Sequence, residues 1–86
     1  MPEVSRFLGI VIRFFYNEHV PPHFHAQYAE YKAQIAIDSH ALLQGRLPGR
    51  VLGLVQEWAE LHQAELEHCW EQARRGEEPD KIAPLV

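Results

Sequence analysis

Two runs of alternating residues, His23–Tyr28 and Tyr31–Asp38, are separated only by Ala29-Glu30, and they constrain this 86-residue chain more than any other feature. Alternation sends successive side chains to opposite faces of a strand, and a two-residue gap leaves room only for a hairpin turn. The register that follows pairs Tyr28 with Tyr31, Ala26 with Ala33 and Phe24 with Ile35 on one face. The other face then carries His23, His25, Gln27, Lys32, Gln34, Ala36 and Asp38. A one-residue slip would exchange the two faces, so the apolar set fixes the pairing. Neither turn residue is Gly or Asn, which leaves the turn type open.

Flanking segments complete an α+β pattern. Gly9 to Tyr16 is rich in β-branched and aromatic residues and reads as a central strand. Ala41 to Gln44 reads as a short strand before Gly45. From Pro48 to Arg75, Val51, Val55, Trp58, His62, Leu66, Cys69 and Ala73 recur at helical spacing, with Glu57, Glu60, Glu67 and Glu71 on the opposite side. Pro48 suits the first helical position and Gly76 the position past the end. The prediction is an antiparallel sheet of three or four strands (about 8–16, 23–28, 31–38 and 41–44) packed against one long C-terminal amphipathic helix (about 48–75). One domain over residues 1–76 is expected, with 77–86 as a tail whose Ile82, Leu85 and Val86 can dock. An unbroken helix of that length would span ~42 Å, longer than a small sheet needs, so its second half could pair with another copy of the chain.

Charge and cysteine usage narrow the setting. The net charge of −4 divides into +1 over residues 1–50 and −5 over residues 51–86. Binding duplex DNA unaided calls for a strongly basic surface, so that class is not expected, whereas the first half leaves room for a small, local RNA contact. The longest apolar run, Phe7 to Tyr16, contains Arg13 and falls far short of a bilayer span, so no membrane association is expected. A single cysteine, Cys69, rules out an intramolecular disulfide and fits a reducing cytoplasm.

Chemistry concentrates in Asn17-Glu18-His19-Val20-Pro21-Pro22-His23-Phe24-His25-Ala26, which holds three of the six histidines within seven residues. His23 and His25 stand two apart on a strand, so both side chains leave one face, with Cα atoms about 6.6 Å apart. Three uses are open. As a metal-independent acid–base pair, one imidazole would take the 2′-hydroxyl proton of RNA while the other protonates the leaving oxygen, with His19 or Arg13 contacting the phosphate. No cofactor is needed in that reading. As ligands, His19, His23 and His25, with Asp38 on the same predicted face, would hold a divalent transition metal such as zinc. As structural groups, the histidines would cap the loop or stack on Tyr16 and Tyr28. His62 falls within the apolar stripe of the helix, and Glu65 lies one turn on as a local partner. Cys69, on the predicted buried face, has no basic neighbour that would activate a thiol.

Several segments taken together carry a resemblance. They are Met1-Pro2-Glu3-Val4-Ser5-Arg6-Phe7, Gly9-Ile10, the Asn17–Ala26 block, the Tyr28–Tyr31 turn, Leu47-Pro48 and Glu57-Trp58-Ala59-Glu60-Leu61-His62. Together they resemble domain-of-unknown-function family 4160, a family of small prokaryotic proteins. Where a glycine is frequent in the family's hairpin turn, this chain has Ala29. The resemblance implies no catalytic residue. It implies a protein partner, because members are often encoded beside a small protein of domain-of-unknown-function family 2442, an arrangement like that of a toxin–antitoxin pair. The function expected is one component of such a two-protein module. An RNA-cleaving toxin is the first form of it, a non-enzymatic regulatory module or a metal-binding protein the alternatives.

Overall fold

In the computed structural model, which describes residues 2–86, the central hairpin has the register the alternation predicts. His23–Tyr28 (β3) pairs with Tyr31–Ala36 (β4), and Tyr28 faces Tyr31, Ala26 faces Ala33 and Phe24 faces Ile35. Ala29 takes the turn at φ 52. Glu3–Phe7 (β1) and Ile10–Arg13 (β2) lie on one side of this hairpin and Leu42–Gly45 (β5) on the other. All neighbours are antiparallel, so the sheet is a meander in chain order. Two helices follow, Gly49–Leu61 (α1) and Gln63–Arg74 (α2).

The α+β class is as expected, but the sheet has five strands, not three or four, and the helix is two, not one. The first difference arises inside the apolar run. Leu8 and Gly9 take φ 51 and φ 81, and a pair of positive φ values is the tight hairpin geometry that matches strand twist. The expected strand over about 8–16 is therefore cut to Ile10–Arg13, with β1 folded back beside it so that Phe7 faces Ile10. The second difference lies at His62, whose φ −123 and ψ 32 interrupt the helix. A straight ~42 Å rod would overrun a molecule measuring 33 × 25 × 22 Å. The break lets both halves pack on the same sheet, and α2 buries Leu66, Cys69, Trp70 and Ala73 in the chain's own core. Helix α1 begins at Gly49, one residue after Pro48, which precedes it as cap.

One sheet face is the core. Ile10, Ile12, Phe24, Ala26, Ala33 and Ile35 meet Val51, Val55, Trp58 and Leu66 of the helices. Trp58 lies at the middle, its ring centroid 5.5 Å from that of Phe7 and 5.9 Å from that of Phe24. The tail docks along β1. Ile82 is buried and donates its backbone N–H to the Val4 carbonyl at 2.8 Å, and the Trp58 indole donates to the Ala83 carbonyl at 2.8 Å. One sheet edge is thus covered, whereas every residue of β5 at the other edge is exposed. No helix among the described residues is long and apolar enough to cross a membrane.

Candidate metal centre

The site is assembled by a strand that cannot shift and a loop that returns to it. β3 is paired on both sides, with Arg13 opposite His25 on β2, and Gln34 and Ala36 opposite His25 and His23 on β4. His25 lies on the helix-free face, its ring stacked on Phe15 at 4.0 Å. The connection from Phe14 to Pro22 is tied at both ends, by Phe14 N–H to the Pro2 carbonyl at 3.1 Å and by Ile37 N–H to the Pro22 carbonyl at 3.0 Å. Between these ties it carries Glu18 back over β3.

Glu18 meets both histidines through one oxygen. His25 Nε2 lies 2.6 Å from Glu18 Oε1, a short charge-assisted hydrogen bond. His23 Nε2 lies 3.1 Å from the same oxygen, yet outside the angular range of a hydrogen bond, and it has no other partner. The His23 side chain is only 6% exposed. Its other nitrogen, Nδ1, donates to the Pro21 carbonyl at 2.8 Å and so carries the hydrogen. A neutral ring would leave a buried, unpartnered lone pair at Nε2 only 3.1 Å from a carboxylate oxygen, an arrangement that a cation between them would relieve. The ligand-type atoms of Glu18, His23 and His25 all lie within 4.8 Å of one another.

The structure sorts the sequence candidates. His23 and His25 come together as expected, but the sheet face does not display both. His23 is buried, because the loop covers it on one side and Trp70 of α2 lies 5.4 Å from it, centroid to centroid. His19 is exposed in the loop and lines the neighbouring cavity, outside the close group. Asp38 is not on the strand face: β4 ends at Ala36, and the Asp38 carboxylate turns outward to accept the Ser39 N–H at 2.6 Å. Arg13 lies on β2, its guanidinium donating to Gln27 Oε1 at 2.9 Å. The member that sequence reasoning missed is Glu18. Its signal was present, a carboxylate in the same short block as the H-x-H pair, but only the fold of the loop shows that it meets them.

Two other titratable groups lie apart from the site. His62 contacts Trp58 and bonds Glu65 at 2.5 Å, the local partner expected for it. Burial pushes the Cys69 thiol up to about 11, with the Asp80 and Glu65 charges adding to the effect, so it stays protonated and unreactive near neutral pH.

Two openings flank the Glu–His–His group. A groove of about 520 Å³ on the helix-free face is lined by Arg13, Phe15, His25, Gln27, Lys32 and Gln34 among others. A cavity of about 450 Å³ is lined by Glu18, His19, His23 and Leu43 among others, and shares Gln34 and Gln44 with the groove.

Fold and site together define a small α+β protein in which a five-stranded meander, backed by two helices, carries a Glu–His–His cluster beside its open face. The chain belongs to the family described as Domain of unknown function (DUF4160), whose sequence profile matches residues 9–71. That span contains Glu18, His23, His25, Trp58 and His62, while β1 and the docked tail lie outside it. No curated protein and no solved structure matches the chain.

Proposed function

We propose that this chain binds a divalent first-row transition ion through Glu18, His23 and His25, leaving coordination positions open toward the two cavities. The observation that carries the reading is His23 Nε2. It is buried, has no hydrogen-bond partner among the described residues, and lies 3.1 Å from a carboxylate oxygen. A metal ion satisfies that nitrogen and the carboxylate at once. Two imidazoles and one carboxylate suit zinc or ferrous iron, and three protein ligands with an open position are the usual plan of a catalytic centre. The Pro21 carbonyl supplies the outer hydrogen bond that holds a ligating imidazole in its tautomer. Ligand atoms bound 2.0–2.1 Å from one ion stand roughly 2.9–3.4 Å apart, so the 2.6 Å contact between Glu18 and His25 must open by about half an ångström when the ion enters.

The metal-independent RNA-cleaving reading has less support. An acid–base pair needs both imidazoles to reach one phosphodiester. Here both Nε2 atoms converge on Glu18, and His23 is enclosed. The partner reading does have an observation in its favour. β5 is an open edge with Leu42 40% and Leu43 43% exposed, and such an edge invites a strand or apolar surface from another protein. As one component of a two-protein module, the chain would dock its gene neighbour there. Co-purification that is lost on replacing Leu42 and Leu43 with lysine supports this docking, and absence of any complex refutes it.

The test of the metal centre is calorimetric titration of tag-free, chelator-treated protein with zinc and with ferrous iron. One ion per chain is expected, with binding at least tenfold weaker in Glu18→Gln and His25→Gln. At an ion concentration 100 times Kd, linkage stabilises the native state by about 2.7 kcal/mol, a rise in Tm of roughly 10 °C or more for a chain this size. Failure to bind either ion, or equal binding by the two variants, refutes the proposal.

A further inference from the structure

We infer that the helix-free face of the sheet is a binding groove for a small phosphate ester, gripped by Arg13 and Lys32 and presented to the Glu18–His23–His25 group across His25. The strand register sets out the groove floor. Arg13, His25, Gln34 and Gln44 oppose one another in turn across β2, β3, β4 and β5. The next row places Gln27 opposite Lys32. Two cations and three amides therefore share one face with the histidine, and among the described residues no carboxylate lines the groove.

Neither cation is neutralised by an ion pair among the described residues. Glu3, which stands opposite Arg13, is committed to Arg6 through two bonds of 2.8 and 3.0 Å. Gln27 holds the Arg13 guanidinium by one Nη1 hydrogen, leaving the remaining donors for an acceptor. A guanidinium fork and an ammonium lining one groove suit a phosphate dianion, which offers three oxygens and two charges. Gln34 and Gln44 each present a donor and an acceptor and so suit the hydroxyl-bearing remainder of the ligand. The volume of about 520 Å³ accommodates a sugar phosphate and falls in the range of small-ligand sites. The charge balance of the whole chain runs the other way, at −4, so the positive character is local to this face.

His25 belongs both to the groove and to the Glu–His–His group. A phosphate held by Arg13 and Lys32 thus lies beside the open coordination positions of the proposed ion. That last step rests on the metal reading; the grip of the two cations does not.

The experiment is a titration of isotope-labelled, metal-free protein with ribose 5-phosphate, ribose, inorganic phosphate and acetate, followed by amide chemical shifts. Ribose 5-phosphate is expected to shift the amides of residues 13, 25, 27, 32, 34 and 44, and ribose to shift none of them. Arg13→Gln and Lys32→Gln, both at sites with no buried charge, are expected to weaken binding at least tenfold each while leaving zinc binding intact. The zinc-loaded protein is expected to bind the ester more tightly than the metal-free protein. If ribose or acetate binds as well as the ester, or if the Arg13→Gln/Lys32→Gln variant binds it as tightly as wild type, the groove assignment is overturned. Ester binding that zinc leaves unchanged overturns only the presentation to the ion. Zinc binding without ester binding overturns the groove and leaves the metal centre standing.

Discussion

Gly45 and Gly53 are expected to respond to alanine with opposite signs, and the structure gives the size of each effect. Gly45 has φ +80, and a Cβ built on it would lie 2.1 Å from the Lys32 carbonyl oxygen and 3.0 Å from Ala33 Cα. Both obstacles are backbone. The Lys32 oxygen also accepts the Arg46 N–H at 3.0 Å, so moving it away breaks the bond that closes β5 onto β4. The left-handed conformation costs an alanine about 1–2 kcal/mol. Losing that bond adds about 1 kcal/mol. Gly45→Ala should therefore destabilise the chain by about 2–3 kcal/mol, a large share of the 5–15 kcal/mol typical of a domain. Gly53 is inside α1 with nothing within 4 Å of the position its Cβ would take. Alanine there should stabilise by about 1 kcal/mol, because glycine is the poorer helix former. Urea denaturation followed by circular dichroism measures both. A Gly45→Ala stability within 1 kcal/mol of wild type, or a destabilised Gly53→Ala, would refute this account of how β5 is held.

Three further outcomes follow from the packing and the site. Trp58→Phe keeps a ring between Phe7 and Phe24 but removes the hydrogen bond to Ala83, so it should cost about 1–3 kcal/mol and speed proteolysis of the tail. If the tail stays protected, that bond is not what docks it. Burial raises the folded pKa of the Cys69 thiol to about 11, so the native state holds this proton more tightly than the unfolded chain does. Stability should therefore fall as pH rises above about 8.5 toward the folded value, and Cys69→Ala should remove that slope. Prompt alkylation of the native thiol at pH 8 would count against its burial. On addition of zinc, amide exchange should slow in residues 14–22 and change little in β3. Equal protection of both segments would show that the strand, and not the loop, adjusts to the ion.

How much of this was legible in the sequence divides along a physical line. The β3–β4 register could be read because alternation has a period of two and one face must be apolar, which leaves a single pairing. The apolar stripe of α1 and α2 could be read for the same kind of reason, and each of its aliphatic and aromatic members is buried. Both patterns are repeats, and a repeat announces itself without knowledge of the rest of the fold. The turn at Leu8-Gly9 could not be read this way, because Leu8 is a poor candidate for φ 51 and sits within a largely apolar run. The helix break at His62 carries no proline or glycine; it answers to the size of the sheet beneath it, a tertiary constraint with no local signature.

The candidate centre straddles that same line. Its two imidazoles ride on the most regular element of the chain, so their common origin on β3 was legible. Glu18 reaches them only because a loop of irregular conformation is tied down at Pro2 and Ile37, partners far from it in sequence. That division has a consequence for chemistry. His25 is held between β2 and β4 and His23 is held to β4, so an ion that enters is accommodated chiefly by Glu18 on its loop. The histidines then fix where an ion binds, while the length and ties of the Phe14–Pro22 loop fix how far the carboxylate can retreat. Substitutions in β3 should therefore abolish the centre outright. Substitutions in the loop, where His19, Val20 and Pro21 border the cavity, should tune the affinity of the ion and the room left beside it.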